Sequence, residues 1–190
     1  MRAVSEIDAI REKAILSSLA GFPFLLVFGC AWIVAGALTY VFPADIAPWV
    51  YVFAGIPAAP IAIMLDRRLG YVPASNPDPL LPLTLQILFV QVVAFPAIML
   101  VADSAFQYIP VAFAAIVGAH FLPFDWVYKT KLYTILGIAV SAGSFMLALF
   151  VGEAAMHYTG FFVGVVLLVG ALLTRAYAKA TWLASGLSAG

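Results

Sequence analysis

Six stretches of this chain contain no Asp, Glu, Lys or Arg and run for about 20 residues or more: Ala14 to Phe42, Ile46 to Leu65, Leu80 to Ala102, Ala105 to Phe124, Leu132 to Gly152 and Ala154 to Thr174. Each is long enough, as a helix rising about 1.5 Å per residue, to cross a hydrocarbon core of about 30 Å. Such a chain cannot build a water-facing surface. Only 9% of its residues are charged and 65% are hydrophobic, against roughly 25% and 45–50% in soluble domains. In a chain of 190 residues, the six stretches leave no room for a separate aqueous catalytic domain. The expected fold is an all-α bundle of six transmembrane helices, a single integral membrane domain over residues 1–190.

Orientation follows from the segments between the stretches. Arg2, Arg11 and Lys13 precede the first; Arg67 and Arg68, then Lys129 and Lys131, fall in alternate loops; Arg175 and Lys179 follow the last. The intervening loops carry only Asp45, Asp103 and Glu153. Lys and Arg accumulate on the cytoplasmic face. Both termini are therefore expected inside, in a cytoplasmic (inner) membrane, with three short hairpins facing outward. The leader carries Glu6, Asp8 and Glu12, and the apolar run after it is far longer than the roughly 7–15 residues of a signal-peptide core, so it reads as a retained first span. Ile7, Ile10 and Ala14 share one helical face, which suggests a short helix leading into the membrane.

Helices in lipid associate through small residues that let backbones approach. Candidates are Gly29 and Gly36 in the first span, Ala54, Ala58 and Ala62 in the second, Gly137 and Ser141 in the fifth, and the Gly160/Gly164 pair in the sixth. Proline in a span loosens the backbone one turn upstream. Pro23, Pro57, Pro60 and Pro123 fall toward the basic side, which suggests a proline-lined vestibule opening to the cytoplasm.

Polar groups within spans are costly unless paired or facing water, so they mark candidate sites. Gln86 and Gln91 lie in the third stretch and His120 near the end of the fourth. His120 belongs to GAHFLPFDWVY, where Leu122 precedes Pro123 and is disfavoured in helical geometry. A turn there lets Asp125 cap the next helix and brings its carboxylate toward His120, a pairing able to hold a proton near neutral pH. The alternative is that His120 bonds a backbone carbonyl and Asp125 only caps. Glu153 and His157 stand at i,i+4, a spacing metal sites use, but two ligands make an ion pair more readily than a metal site. The single cysteine, Cys30, offers neither a disulfide nor a thiolate site, and no nucleotide, zinc-protease or nucleophile-elbow motif is present.

The GAHFLPFDWVY segment resembles one found in a family of small bacterial multi-span membrane proteins of unknown function. The resemblance implies membrane location and fold, and no activity or catalytic residue. The expected function is a small transporter or channel-like protein for a solute or ion, with a cytoplasm-facing polar pocket formed by Gln86, Gln91, His120 and Asp125. The alternative is a non-catalytic accessory or scaffold subunit, or a homo-oligomer, of a membrane complex. An intramembrane enzyme ranks last. No cofactor, bound metal or nucleic-acid partner is expected; the lipid bilayer is.

Overall fold

The computed structural model describes residues 2–75 and 78–186, with side chains from Glu6 onward. It is 83% helical, and the described residues contain no strand. The helices are α1 (Arg2–Ser17), α2 (Phe22–Leu38), α3 (Trp49–Phe53), α4 (Gly55–Leu69), α5 (Leu81–Val93), α6 (Phe95–Ser104), α7 (Ile109–Phe121), α8 (Phe124–Tyr128), α9 (Leu132–Val151) and α10 (Ala155–Ala184).

Four helical segments are long and apolar enough to cross a membrane: Leu19–Leu38, Trp49–Leu69, Leu81–Ser104 and Leu132–Ala184, with a shorter apolar segment at Phe106–Phe121. The last of the four contains two helices. α9 ends where Gly152 takes a positive φ of 59°, and one 3-10 turn leads into α10. Gly170 packs on Leu136 while Gly143 packs on Phe162, so α10 runs back antiparallel along α9.

The prolines start helices more often than they bend them. Pro23, Pro82, Pro96 and Pro110 each sit in the first turn of α2, α5, α6 and α7, where a missing N–H costs nothing and the fixed φ already suits the helix. Pro60, by contrast, lies inside α4. The first and third apolar stretches are therefore each two elements. The first breaks at Leu19, Ala20 and Gly21, three consecutive residues with φ between 50° and 81°. That elbow is buried and tied down: the Tyr133 hydroxyl donates to the Ala20 carbonyl at 2.7 Å, and Gly21 lies so close to the same hydroxyl that a Cβ could not be added without a shift.

Small residues make the tightest helix contacts. Gly29 and Gly36 of α2 face Gly164 and Gly160 of α10, backbone against backbone. Gly118 of α7 meets Gly137 and Ser141 of α9, and the Ser141 hydroxyl donates to the Ala115 carbonyl. Ala58 and Ala62 of α4 are buried on the helix that packs against α2. The expected small-residue faces are thus used, and they hold α2, α10, α9 and α7 as one sheaf.

The basic segments gather at one end of it. Asp8 pairs with Lys129 at 3.2 Å, the Arg11 guanidinium covers the Trp126 ring, Tyr71 stacks on Trp182, and the Tyr177 hydroxyl donates to the Lys129 carbonyl. At the other end, Thr39 and Tyr40 meet His157, and Trp49 meets Phe106. α1 lies against the basic end, burying Ile15 and Leu16 while Ile7 stays exposed.

Candidate functional site

α4 packs on α2, whereas α5 packs on α7. Between these pairs lies an interior cavity of about 390 Å³. It extends from Gly21, Tyr128 and Tyr133 near the basic end to Ala35 and Tyr51 toward the other. Its walls are largely aromatic. Trp32 sits in the middle, 5.2 Å from the Tyr51 ring and 5.7 Å from Phe113. Phe124, Tyr128 and Tyr133 form a mutually stacked group at the basic end, with centroids 5.4–5.8 Å apart.

Of the residues singled out in the sequence, the fold brings His120 and Gln91 to this cavity. His120 is 8% exposed, and its Nδ1 bonds the Val117 carbonyl one turn back in α7. Nδ1 therefore carries the proton toward that carbonyl, which leaves Nε2 as the ring's acceptor. Gln91 lies on α5 in line with Thr84 and Leu88, which also line the cavity. The spacings of four and seven put all three on one face. Gln86 is five residues from Gln91, about 140° round the helix at 3.6 residues per turn, and it is exposed on the outer side.

Asp125 goes elsewhere. Its carboxylate accepts the Thr134 backbone N–H at 3.0 Å and the Thr134 hydroxyl, and it pairs with Lys131 at 3.6 Å. Thr134 is the third residue of α9, so Asp125 does cap the following helix, from within α8. It makes no bond to His120. Part of the reason is that Leu122 keeps right-handed helical angles, φ −53° and ψ −44°, so the chain passes Pro123 into the one-turn α8 instead of folding back. His120 thus follows the alternative reading, bonded to a carbonyl. Pro23, Pro57, Pro60 and Pro123 do not line this cavity, whose basic end is walled by Phe124, Tyr128 and Tyr133.

Two of the phenols that line the cavity donate to backbone carbonyls, and the third accepts from a serine. Tyr51 donates to the Met156 carbonyl at 2.9 Å, Tyr133 to Ala20, and Tyr128 meets the Ser18 hydroxyl at 3.3 Å. Burial pushes the Tyr128 phenol up to about 12, eased by the Ser18 contact. Thr84 donates to the Leu80 carbonyl and keeps its oxygen for a further bond. None of the described residues lining the cavity is charged. At the far end, His157 is held by the Thr39 hydroxyl and the Tyr40 ring, so its role is to close a helix end. The group of three or more ligands that a metal needs is absent among the described residues.

The aromatic lining was not read from the sequence, because Phe, Tyr and Trp are abundant throughout the chain and only helix rotation sorts those facing inward. One signal was available. Thr84 and Gln91, polar residues seven apart in a span, mark one helix face.

The long apolar helices are those of a helical membrane protein. The chain belongs to a family of unknown function, DUF7010, whose profile matches residues 7–176. Neither a curated protein nor a solved structure matches it.

Proposed function

We propose that the chain is a single six-span domain of the cytoplasmic membrane, with both termini and the basic loops on the cytoplasmic side. On this reading it is a small transporter-like protein that holds a solute in the cavity around His120 and Gln91. The observation that carries the reading is the cavity itself, a polar-tipped interior space in a bundle otherwise packed through glycine contacts. α9 and α10 supply two spans, and Phe106–Phe121 a short one. The absence of charge from the lining argues for a neutral solute over an ion, since an unpaired ion would be desolvated there at large cost. Asp125 serves as a cap, and the ligand-facing set is His120, Gln91 and Thr84.

The test is a thermal-stability screen of detergent-purified protein against neutral metabolites and ions. A solute that binds the folded state at a hundredfold excess over its Kd adds about 2.7 kcal/mol. The expected result is a rise in midpoint with a neutral solute that His120→Ala and Gln91→Leu abolish while both variants stay monodisperse. No response from any solute sinks the reading.

A second reading, an oligomer or a subunit of a membrane complex, is favoured by Gln86. It lies about 8 Å inside the start of α5 at 1.5 Å per residue, exposed on a face with Leu85, Phe89 and Val93. An amide facing lipid is unsatisfied, and an interhelical partner removes that cost. If this holds, a cysteine at Leu85 or Phe89 forms a crosslinked product in membranes, and Gln86→Leu weakens it. A monomer with and without the change rejects it.

A further inference from the structure

A second, open groove of about 1140 Å³ lies beside the cavity, between α2, α3 and α4 on one side and Phe95 and Met99 of α6 on the other. Apart from Cys30 and the Trp49 indole it is walled by hydrocarbon and aromatic carbon. Its position matters because the two spaces share walls. Ala31, Ala35 and Ala54 border both the groove and the interior cavity, so the partition between them is built from methyl groups. The helices on either side of the slot pack on other partners, α4 on α2 and α5 on α7, and Ile56 and Leu88, which line the cavity there, are exposed, while the basic end is walled by aromatic rings and lies under α1.

The easiest approach to His120 and Gln91 is therefore sideways, from the hydrocarbon. From this we infer that the ligand is an amphipathic lipid with an uncharged, oxygen-bearing head, its head in the cavity and its hydrocarbon tail in the α4/α6 groove. The inference rests on the cavity reading above and names its ligand. The head must be uncharged because no charged residue lines the cavity. It must carry a hydroxyl, carbonyl or amide because the polar groups that line the cavity include an imidazole nitrogen, the Gln91 amide, the Thr84 hydroxyl oxygen and the Trp32 indole N–H. The tail must be apolar because the groove wall, Cys30 and the Trp49 indole apart, is hydrocarbon and aromatic carbon. A bilayer supplies such molecules at high local concentration.

The molecule carries its own reporters. Trp32 lines the cavity and Trp49 the groove. In a variant that retains only Trp32, with Trp49, Trp126 and Trp182 changed to Phe, dibrominated octadecanol at low mole fraction in phosphatidylcholine vesicles should quench Trp32 saturably. Dibrominated phosphatidylglycerol, with the same kind of tail and a charged head, should not. Gln91→Leu should weaken the alcohol's apparent affinity about tenfold, as expected for a buried bond left unmade. Ala54→Leu, which thickens the partition, should do the same without touching a polar group. Native mass spectrometry of the unaltered protein should rank the two lipids in the same order, independently of the tryptophan changes. Equal quenching by both lipids, or linear quenching unaffected by either substitution, overturns the inference. If the alcohol fails while a water-soluble solute still raises the midpoint in a His120-dependent way, the lipid assignment falls and the cavity reading stands. If neither binds, both fall.

Discussion

Glycines in this chain differ in what they hold open. At Gly118 an added Cβ would lie 2.5 Å from the Gly137 carbonyl oxygen, a backbone atom that cannot rotate away. At Gly152 nothing stands within 4 Å, and only its φ of 59° is special. Gly118→Ala is expected to destabilise the detergent-solubilised protein by about 1–3 kcal/mol, the usual cost of overpacking. Gly152→Ala should cost about 1–3 kcal/mol for its backbone alone, because φ 59° with ψ −133° lies outside the left-handed α region, in a conformation that glycine alone adopts readily, with no change at the α7–α9 contact. Reversible unfolding in mixed micelles, read by tryptophan fluorescence, separates the two. An equal and negligible loss at both positions would mean that α7 and α9 do not pack at this distance. The small-residue faces of α2, α4, α9 and α10 were readable in the sequence, because a glycine in a span has few roles beyond close approach; which face meets which, and the part of Gly118, were not. The partnership of Asp125 was not, because its choice of Thr134 over His120 depends on Leu122 staying helical despite the proline after it.

Elements were read best where a charge or glycine marks their edges and worst where a break occurs inside apolar sequence. The α1–α2 elbow is such a break: Leu19 and Ala20 give no sign of left-handed geometry, and only Gly21 permits it. The elbow persists because burial and the Tyr133 hydroxyl fix it from outside. Ala20→Gly relieves left-handed strain of about 1–2 kcal/mol while giving up one buried methyl, about 0.8 kcal/mol, so stability should change by less than about 1 kcal/mol. Tyr133→Phe leaves the Ala20 carbonyl without its donor and should cost about 1–3 kcal/mol. Chemical denaturation of the two variants side by side checks the contrast. A loss on Ala20→Gly as large as the roughly 1 kcal/mol seen in ordinary helix interiors would argue that residue 20 is helical.

At the scale of the molecule, the six apolar stretches became more elements than six, and Arg11, Trp126, Lys129, Tyr71 and Trp182 meet at one end. The proposed topology makes a direct prediction. With Cys30 changed to Ala, single cysteines at Asp103 and Glu153 should react with a membrane-impermeant thiol reagent applied to whole cells, and cysteines at Lys131 and Ser185 only after permeabilisation. The reverse pattern would invert the protein.

α10 has 30 residues, about 45 Å at 1.5 Å per residue, against a hydrocarbon layer of about 30 Å. Its first charged residue is Arg175, so on the proposed topology roughly the last third would overhang the bilayer, the part that carries Tyr177 to Lys129 and Trp182 to Tyr71. A helix that fits its membrane poorly changes tilt as the membrane thins or thickens. A change of tilt in the buried turns is magnified at the tip, where α1 and the Gly70–Tyr71 corner rest. On the proposed topology, a thicker or thinner membrane would therefore shift the tip of α10 against α1 and the Gly70–Tyr71 corner.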